Sequence, residues 1–524
     1  QARTQIHEQK MQQRGAHDRH CSLVKRAVKE ELLKPRYRAV PVASVIDEVL
    51  NAQGLESQIC NSIYLREQSR SEASSSGCGG SGTAAGASSS DSAAPATVRA
   101  SMQPDDLDVV VEMRQRWGRM IVQNLRKLNE ETGQSLLRIR QEGEAAHDRW
   151  RGKRMQKQPA KFLYEPSDLV EAVSQARHPN GGSGHCRVLS WGISPIRVRT
   201  LTLAQLRERF VDLSVQERQT GVDDELRGWF EEERHAEGQR LLANGYTSLL
   251  EQFAKRGVPS GLRARVWLAL LRVDVGEREY NYYADLQKEI MRVALITDEL
   301  QKRDAAAPEL EEQYFVFVSM VEELLLCFSR DPRVHQAAAH PQHSTIIARC
   351  ADGSQTAFPP SGVPPFRGQC QFAFPLCFVY AQPPQLYFVY RTLWTRYWSR
   401  LHSFSSRGSS LLPLCLLFEE LMQEHLTELC THLMHLDVHP TTIALPWIMS
   451  GFSSALPVEQ TLLLWDRVLG FDSLELLPLL AVALFTYRSG LLMQATDAQR
   501  VERIMSNCLS LKIIPLLQLF LSDI

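Results

Sequence analysis

The sequence predicts an all-α protein, with one large multi-helix domain preceded by a smaller, mostly helical N-terminal region. Three observations carry that prediction. From about residue 245 to the C-terminus, apolar residues recur every three or four positions in segment after segment, among them "YFVFVSMVEELLLCFSRDPRV", "LPLCLLFEELMQEHLTELCTHLMHL" and "SLELLPLLAVALFTYR". Prolines stand where helices tolerate them, at Pro41, Pro259 and Pro457. The only β-branched runs that read as strands, "RVLSWGI" and "IRVRTLTL", follow the Gly-rich "HPNGGSGHC" at 178–186 and are too few for a sheet. The aromatic load of the C-terminal helices argues for crossings at varied angles rather than a regular bundle.

In chain order, residues 1–70 mix apolar and charged groups at helical spacing, as in "LVKRAVKEELL", and form the N-terminal helical region. Residues 71–103 follow as a flexible linker. Their stretch "SEASSSGCGGSGTAAGASSSDSAAPATV" has no aromatic residue and no Lys or Arg, so it cannot bury enough surface to offset its chain entropy. Residues 104–244 form a helical and mixed connecting region. In it Val110, Met113, Trp117, Ile121, Leu125 and Leu128 make the stripe of a long amphipathic helix, with Asp105 and Asp106 placed to cap it. Residues 245–524 form the large domain. "GVPSGLRARVWLALL" places Leu262, Val266, Ala269 and Leu270 on one helix face and sets Arg263 and Trp267 four apart, as neighbours. After Pro457, the residues Val458, Leu462, Trp465 and Leu469 form another buried face, while Asp466 points elsewhere and is expected to cap or pair.

Bulk composition narrows the function. Lys plus Arg number 59 against 60 Asp plus Glu, a net charge of −1 that exerts no global pull on nucleic acid or anionic membrane. The 11 cysteines are scattered without a C-x-x-C pair, which fits reduced thiols and a cytoplasmic protein better than a secreted disulfide framework. The chain opens at Gln1 rather than methionine, which leaves room for a preceding segment, and its visible start has no apolar core for a signal peptide. The longest apolar run, "LLPLLAVALFTY" at 476–487, is too short to span a bilayer, so any association with endomembranes is expected to be peripheral. No nucleophile-elbow or dinucleotide signature is present. Cys430, His432, His435 and His439 cluster in "CTHLMHLDVH", but Pro440 ends the helix after His439 and no second ligand pair follows, so no metal site is expected.

Two stretches carry a specific signature. "GVPSGLRARVW" fits G-[IV]-P-x-x-L-R-x-x-V-W through Arg263 and Trp267, and "PWIMSGFSSALPVEQTLLLWDRVLGF" fits W-x-x-x-x-F, L-P and W-D through Trp447, Phe452, Pro457, Trp465 and Asp466. Found in order, they make residues 245–524 resemble the TBC domain, the all-helical module of Rab GTPase-activating proteins. That resemblance implies a regulator of Rab-type small GTPases in membrane trafficking. The GTP and Mg2+ would be carried by the partner GTPase, with no cofactor on this chain. It implies a GTPase activator rather than an enzyme acting alone.

The family resemblance also implies two residues acting in trans, an arginine in I-x-x-D-x-x-R-T that neutralises phosphate charge and a glutamine in Y-x-Q-G that orients water. In "ALITDELQKRDA", taking Asp298 as the aspartate puts Gln301 at the arginine position and Lys302 at the threonine; Arg303 lies about 200° further around the helix. Aligning Gly368 in "GVPPFRGQC" puts Pro365 at the tyrosine and Arg367 at the glutamine. A guanidinium has donors only, so Arg367 does not replace the glutamine carbonyl, although its planar fork suits phosphate or an acidic surface. Gln369 offers an amide by a register slip. Residues 335–362 read as an insertion beside this loop.

Three functions stay open from these residues: a Rab GTPase activator with divergent finger positions, a catalytically silent Rab-binding scaffold, and an anionic-lipid or RNA binder acting through "RWRGKRMQKQPAK" at 149–161, with six basic residues and no acid. No nucleic-acid partner is expected, because one cluster in a neutral chain is a weak footprint.

Overall fold

The computed structural model describes residues 108–140, 161–176, 200–214, 218–222, 228–307, 314–337, 346–349, 355–406, 408, 410–506, 508 and 510–523. All of them belong to the second of two compact units, Ser101–Ile524. The predicted N-terminal region, the linker, the run "RVLSWGI" and, except for Lys161, the basic cluster 149–161 lie outside the described residues.

Helices of seven residues or more run in the order α1 Asp108–Thr132, α2 Pro166–Ala176, α3 Leu203–Arg209, α4 Gly228–Asn244, α5 Thr247–Lys255, α6 Ser260–Leu271, α7 Glu277–Arg292, α8 Asp298–Ala305 and α9 Val318–Arg330. They continue as α10 Pro383–Leu393, α11 Leu411–His425, α12 Thr427–His435, α13 Pro440–Met449, α14 Val458–Phe471, α15 Leu476–Leu492, α16 Ala498–Ser506 and α17 Ile513–Asp523. The fold is all-α, as predicted. Among the described residues, strands are confined to two antiparallel pairs, β1 Leu137–Ile139 with β2 Val293–Leu295, and β3 Ile346–Arg349 with β4 Gln355–Phe358. Three- and four-residue strands are too short to leave a period in the sequence.

The second predicted strand, "IRVRTLTL", is wrong over its described end. Thr202 caps α3 there: its side chain accepts from Gln205 N while Gln205 Oε1 accepts from Thr202 N. That reciprocal capping box satisfies two of the backbone donors at the helix start, and a local propensity for strand does not compete with it.

The core is built around α15, whose residues from Leu476 to Phe485 are buried. It packs on α11, α13 and α17. The apolar run at 476–487 is therefore a core helix, and no described helix is long and apolar enough to cross a membrane. α5 packs closely against α14. At Gly470 a Cβ would stand 2.5 Å from the backbone nitrogen of Lys255, so only glycine admits this approach. α1 buries the whole predicted stripe, from Val110 and Trp117 to Leu128. Toward its C-terminal end, Leu125 and Leu128 join Leu163 against Val293, Leu295, Ile296, Leu300 and Phe358. The connecting region thus packs on the same body as the C-terminal helices, next to α8.

Candidate functional site

The two positions that the family resemblance marks lie on neighbouring elements, α8 and the loop 362–370. Asp298 opens α8 and fastens it from below. Its carboxylate accepts Leu295 N and two bonds from the Arg330 guanidinium, at 2.9 and 2.7 Å. Arg330 donates as well to Val293 O, which ties α9, β2 and α8 together. Fixed this way, α8 turns Gln301 inward. The side chain is 1 % exposed, and neither of its amide atoms finds a hydrogen-bond partner. A residue so placed does not reach a partner's phosphate.

Arg367 stands on the surface side of the adjoining loop, its side chain 45 % exposed and its guanidinium 3.6 Å from Glu165. Gly368 follows in a left-handed conformation at φ 95°, which a side chain rarely adopts and which turns the chain back into the protein. Gln369 is then buried beside the Tyr390 hydroxyl, 1 % exposed, so in this loop conformation it presents no amide to solvent.

The loop is held from two sides by residues that motif comparison does not mark. Arg367 N donates to Tyr164 O, and the Tyr164 ring stacks on Phe366 at 5.0 Å and 15°. Asn124 of α1 secures this strap by donating to Leu163 O. On the other side, the buried carboxylate of Asp304, three residues past Gln301 on α8, accepts Gly368 N at 2.6 Å and Cys370 N at 2.8 Å. Burial raises its carboxyl to about 6, against the lowering effect of those bonds and of the Arg367 charge. Spacing alone puts Asp304 on the face of Gln301, and that was the signal available for it. Tyr164 and Glu165 left none, because their role depends on a contact across two hundred residues. Under the loop, His402 packs on Phe366 at 4.2 Å, and burial pushes it down to about 3, so the ring is neutral at ordinary pH.

The insertion forms the β3–β4 hairpin over part of its length. It returns to the body at Ser361, whose N–H donates to Ser329 O.

The other signature residues converge elsewhere. Asp466 of α14 is fully buried and accepts from Arg263 Nε and Nη2, Trp267 Nε1 and Val258 N. It pairs, as the helix phase implies. Trp465 lies against Trp398 at 5.0 Å and donates to Gly451 O, while Trp447 and Phe452 approach at 6.0 Å. All of these groups are spent on packing. In the histidine cluster, Cys430 donates to Met422 O, His432 Nε2 lies 3.0 Å from Ala495 O, and His439 caps α13 by accepting Thr441 N.

Comparison with known proteins bears on the family of this chain. The sequence profile of the Rab-GTPase-TBC domain matches residues 367–493. Human TBC1 domain family member 19 is 36 % identical over 372 residues, spanning 68 % of this chain and 70 % of that protein. The Dictyostelium discoideum TBC domain-containing protein kinase-like protein is 31 % identical over 61 residues, 12 % of this chain and 6 % of that one. Among solved structures, the Chlamydomonas flagellar RabGAP TBC domain superposes with a TM-score of 0.41 at 14 % identity, over 62 % of this chain and 95 % of that one. The Ypt/Rab-GAP domain of Gyp1p superposes at 0.40 and 13 % identity, over 62 % and 97 %. The assignment rests on the sequence relatives: the long match to the human protein, with the profile inside it, shows that this chain belongs to the Rab-GTPase-TBC domain family.

Proposed function

We propose that this protein is a cytoplasmic, Rab-binding regulator in membrane trafficking that engages its GTPase without a resident arginine and glutamine finger pair. The single observation that supports this reading is the placement of the two finger positions. Gln301 is neutral and 1 % exposed, and Arg367 is a half-exposed donor held near Glu165. A GTPase hydrolyses slowly because charge on the transferring phosphoryl is uncompensated and its water is loosely held. Gln301 supplies no charge, and a guanidinium accepts no proton from water. What Arg367 offers is a planar donor fork for an acidic group on the partner's surface. GTP and Mg2+ belong to the partner, and this chain needs no cofactor of its own.

Pull-down against a Rab panel in GTP-like and GDP states, followed by single-turnover hydrolysis with whichever member binds, tests the reading. Binding with stimulation below about tenfold is expected, against the roughly 10³ to 10⁵ that an arginine finger supplies. Binding to no Rab in either state overturns the partner assignment. Stimulation in the finger range by the unaltered protein overturns the silent mode of engagement.

A further inference from the structure

We propose that Asp304 is the positioning residue for Arg367: by anchoring the two backbone N–H groups that flank Gln369, it sets the direction in which the loop presents its guanidinium to the GTPase. This deepens the function proposed above and rests on it. Asp304 is 3 % exposed, and its two carboxylate oxygens are divided between Gly368 N and Cys370 N, at 2.6 and 2.8 Å. The Cys370 thiol donates in turn to Asp304 O at 3.2 Å. Charge-assisted bonds of this length are among the stronger ones available to a backbone amide. They act on the residue directly after Arg367, the one whose φ of 95° turns the chain inward. With Arg367 N held by Tyr164 O, the backbone is fixed on both sides of the arginine Cα, while the side chain is left half-exposed.

The carboxylate carries a signature that a mere packing residue lacks. Facing it are the Arg367 guanidinium, the Cys370 thiol and the Tyr390 hydroxyl of α10. Lys302 and Arg303 share its helix, and Arg330, on the adjoining α9, is taken up by Asp298. Burial dominates and raises the closed-loop carboxyl to about 6. An opening that returned it to water would restore a value near ~3.9. The closed loop therefore binds a proton more tightly than the open one, and opening becomes harder as pH falls through 6. Between pH 7.5 and 5 the opening equilibrium should drop about tenfold.

Amide hydrogen exchange on the full chain, corrected for intrinsic rates and with α15 amides as the reference for global unfolding, tests the anchor. Gly368 and Cys370 should be about tenfold better protected at pH 5 than at pH 7.5 in the unaltered protein, and Asp304→Asn should remove that dependence. Asp304→Ala should speed exchange of both amides by about tenfold or more at pH 7.5. Unchanged exchange in Asp304→Ala, or a flat pH profile in the unaltered protein, overturns the anchor whether or not any Rab binds; the second measurement needs no variant to fold. For presentation, Asp304→Ala should weaken binding of a Rab that the panel identifies, and should weaken it no further when Arg367→Ala is already present. Additive losses would overturn the link to Arg367. A protein that binds no Rab would remove the partner half of the proposal, leaving exchange to decide the loop half.

Discussion

Arg263 and Asp466, 203 positions apart, meet through a guanidinium that donates to both oxygens of a carboxylate with no exposure to solvent. Trp267 Nε1 and Val258 N complete the acceptor's shell, so one buried charge holds α6, the turn before it and α14 in register. Removing one member of a buried, hydrogen-bonded pair leaves the other charge uncompensated. Asp466→Ala should therefore destabilise the protein by about 3 to 5 kcal/mol, and Trp267→Phe, which leaves the ion pair intact, by about 1 to 2 kcal/mol. Urea denaturation of the full chain measures both. A loss under about 1 kcal/mol in Asp466→Ala would mean that this network is incidental to the fold.

Gln301 presents the opposite case, a buried amide without partners. Leaving such a group unsatisfied costs about 1 to 3 kcal/mol, so Gln301→Leu should be neutral or stabilising by up to about 2 kcal/mol. Gln301→Arg carries a charge into the same position and should lower the melting temperature. For that reason the exchange of Gln301→Arg with Arg367→Gln is not expected to create a fast activator. A well-folded double variant that stimulates hydrolysis in the finger range would show that α8 can turn this residue outward.

Arg367→Ala separates contact from chemistry. As a surface contact, the arginine should strengthen binding more at low ionic strength than at high, and its loss should leave turnover of the bound complex unchanged. Binding titrations at two salt concentrations, with single-turnover hydrolysis at saturating protein, give both quantities. An unaltered affinity accompanied by loss of stimulation would reassign Arg367 to the chemical step.

Two buried groups near the loop make opposite contributions to the pH dependence of stability. His402 is pushed down to about 3 by burial, below the ~6.5 of an unfolded histidine, so its contribution is complete above about 6.5 and is lost as pH falls toward 3. Asp304, raised to about 6 from ~3.9, favours folding more as pH falls between those values. Their slopes oppose each other between about pH 6 and 4, at up to ~1.4 kcal/mol per pH unit each. Compared with the unaltered chain over that interval, His402→Phe should hold its stability better on acidification and Asp304→Asn should lose it faster. Denaturation midpoints across the interval check the signs, and parallel curves for all three proteins would refute both assignments.

The sequence by itself determined the helical class, the buried stripes and the internal use of the signature residues. The spacing that puts Val110, Trp117 and Leu128 on one side of α1 is a local property of the chain, and so is the phase that sets Asp466 off the Trp465 face. It also supplied Gln301 and Arg367 as the residues at the two positions that the family resemblance marks. Only the tertiary structure decided what those residues face. Gln301 is buried because Asp298 and Arg330 fix the rotation of α8, and Arg367 projects because Tyr164 and Asp304 hold the backbone on either side of it. Those are contacts between segments distant in sequence, made by backbone groups and single carboxylates. Such contacts leave no periodic trace in the chain, because one hydrogen bond places no demand on the residues beside it.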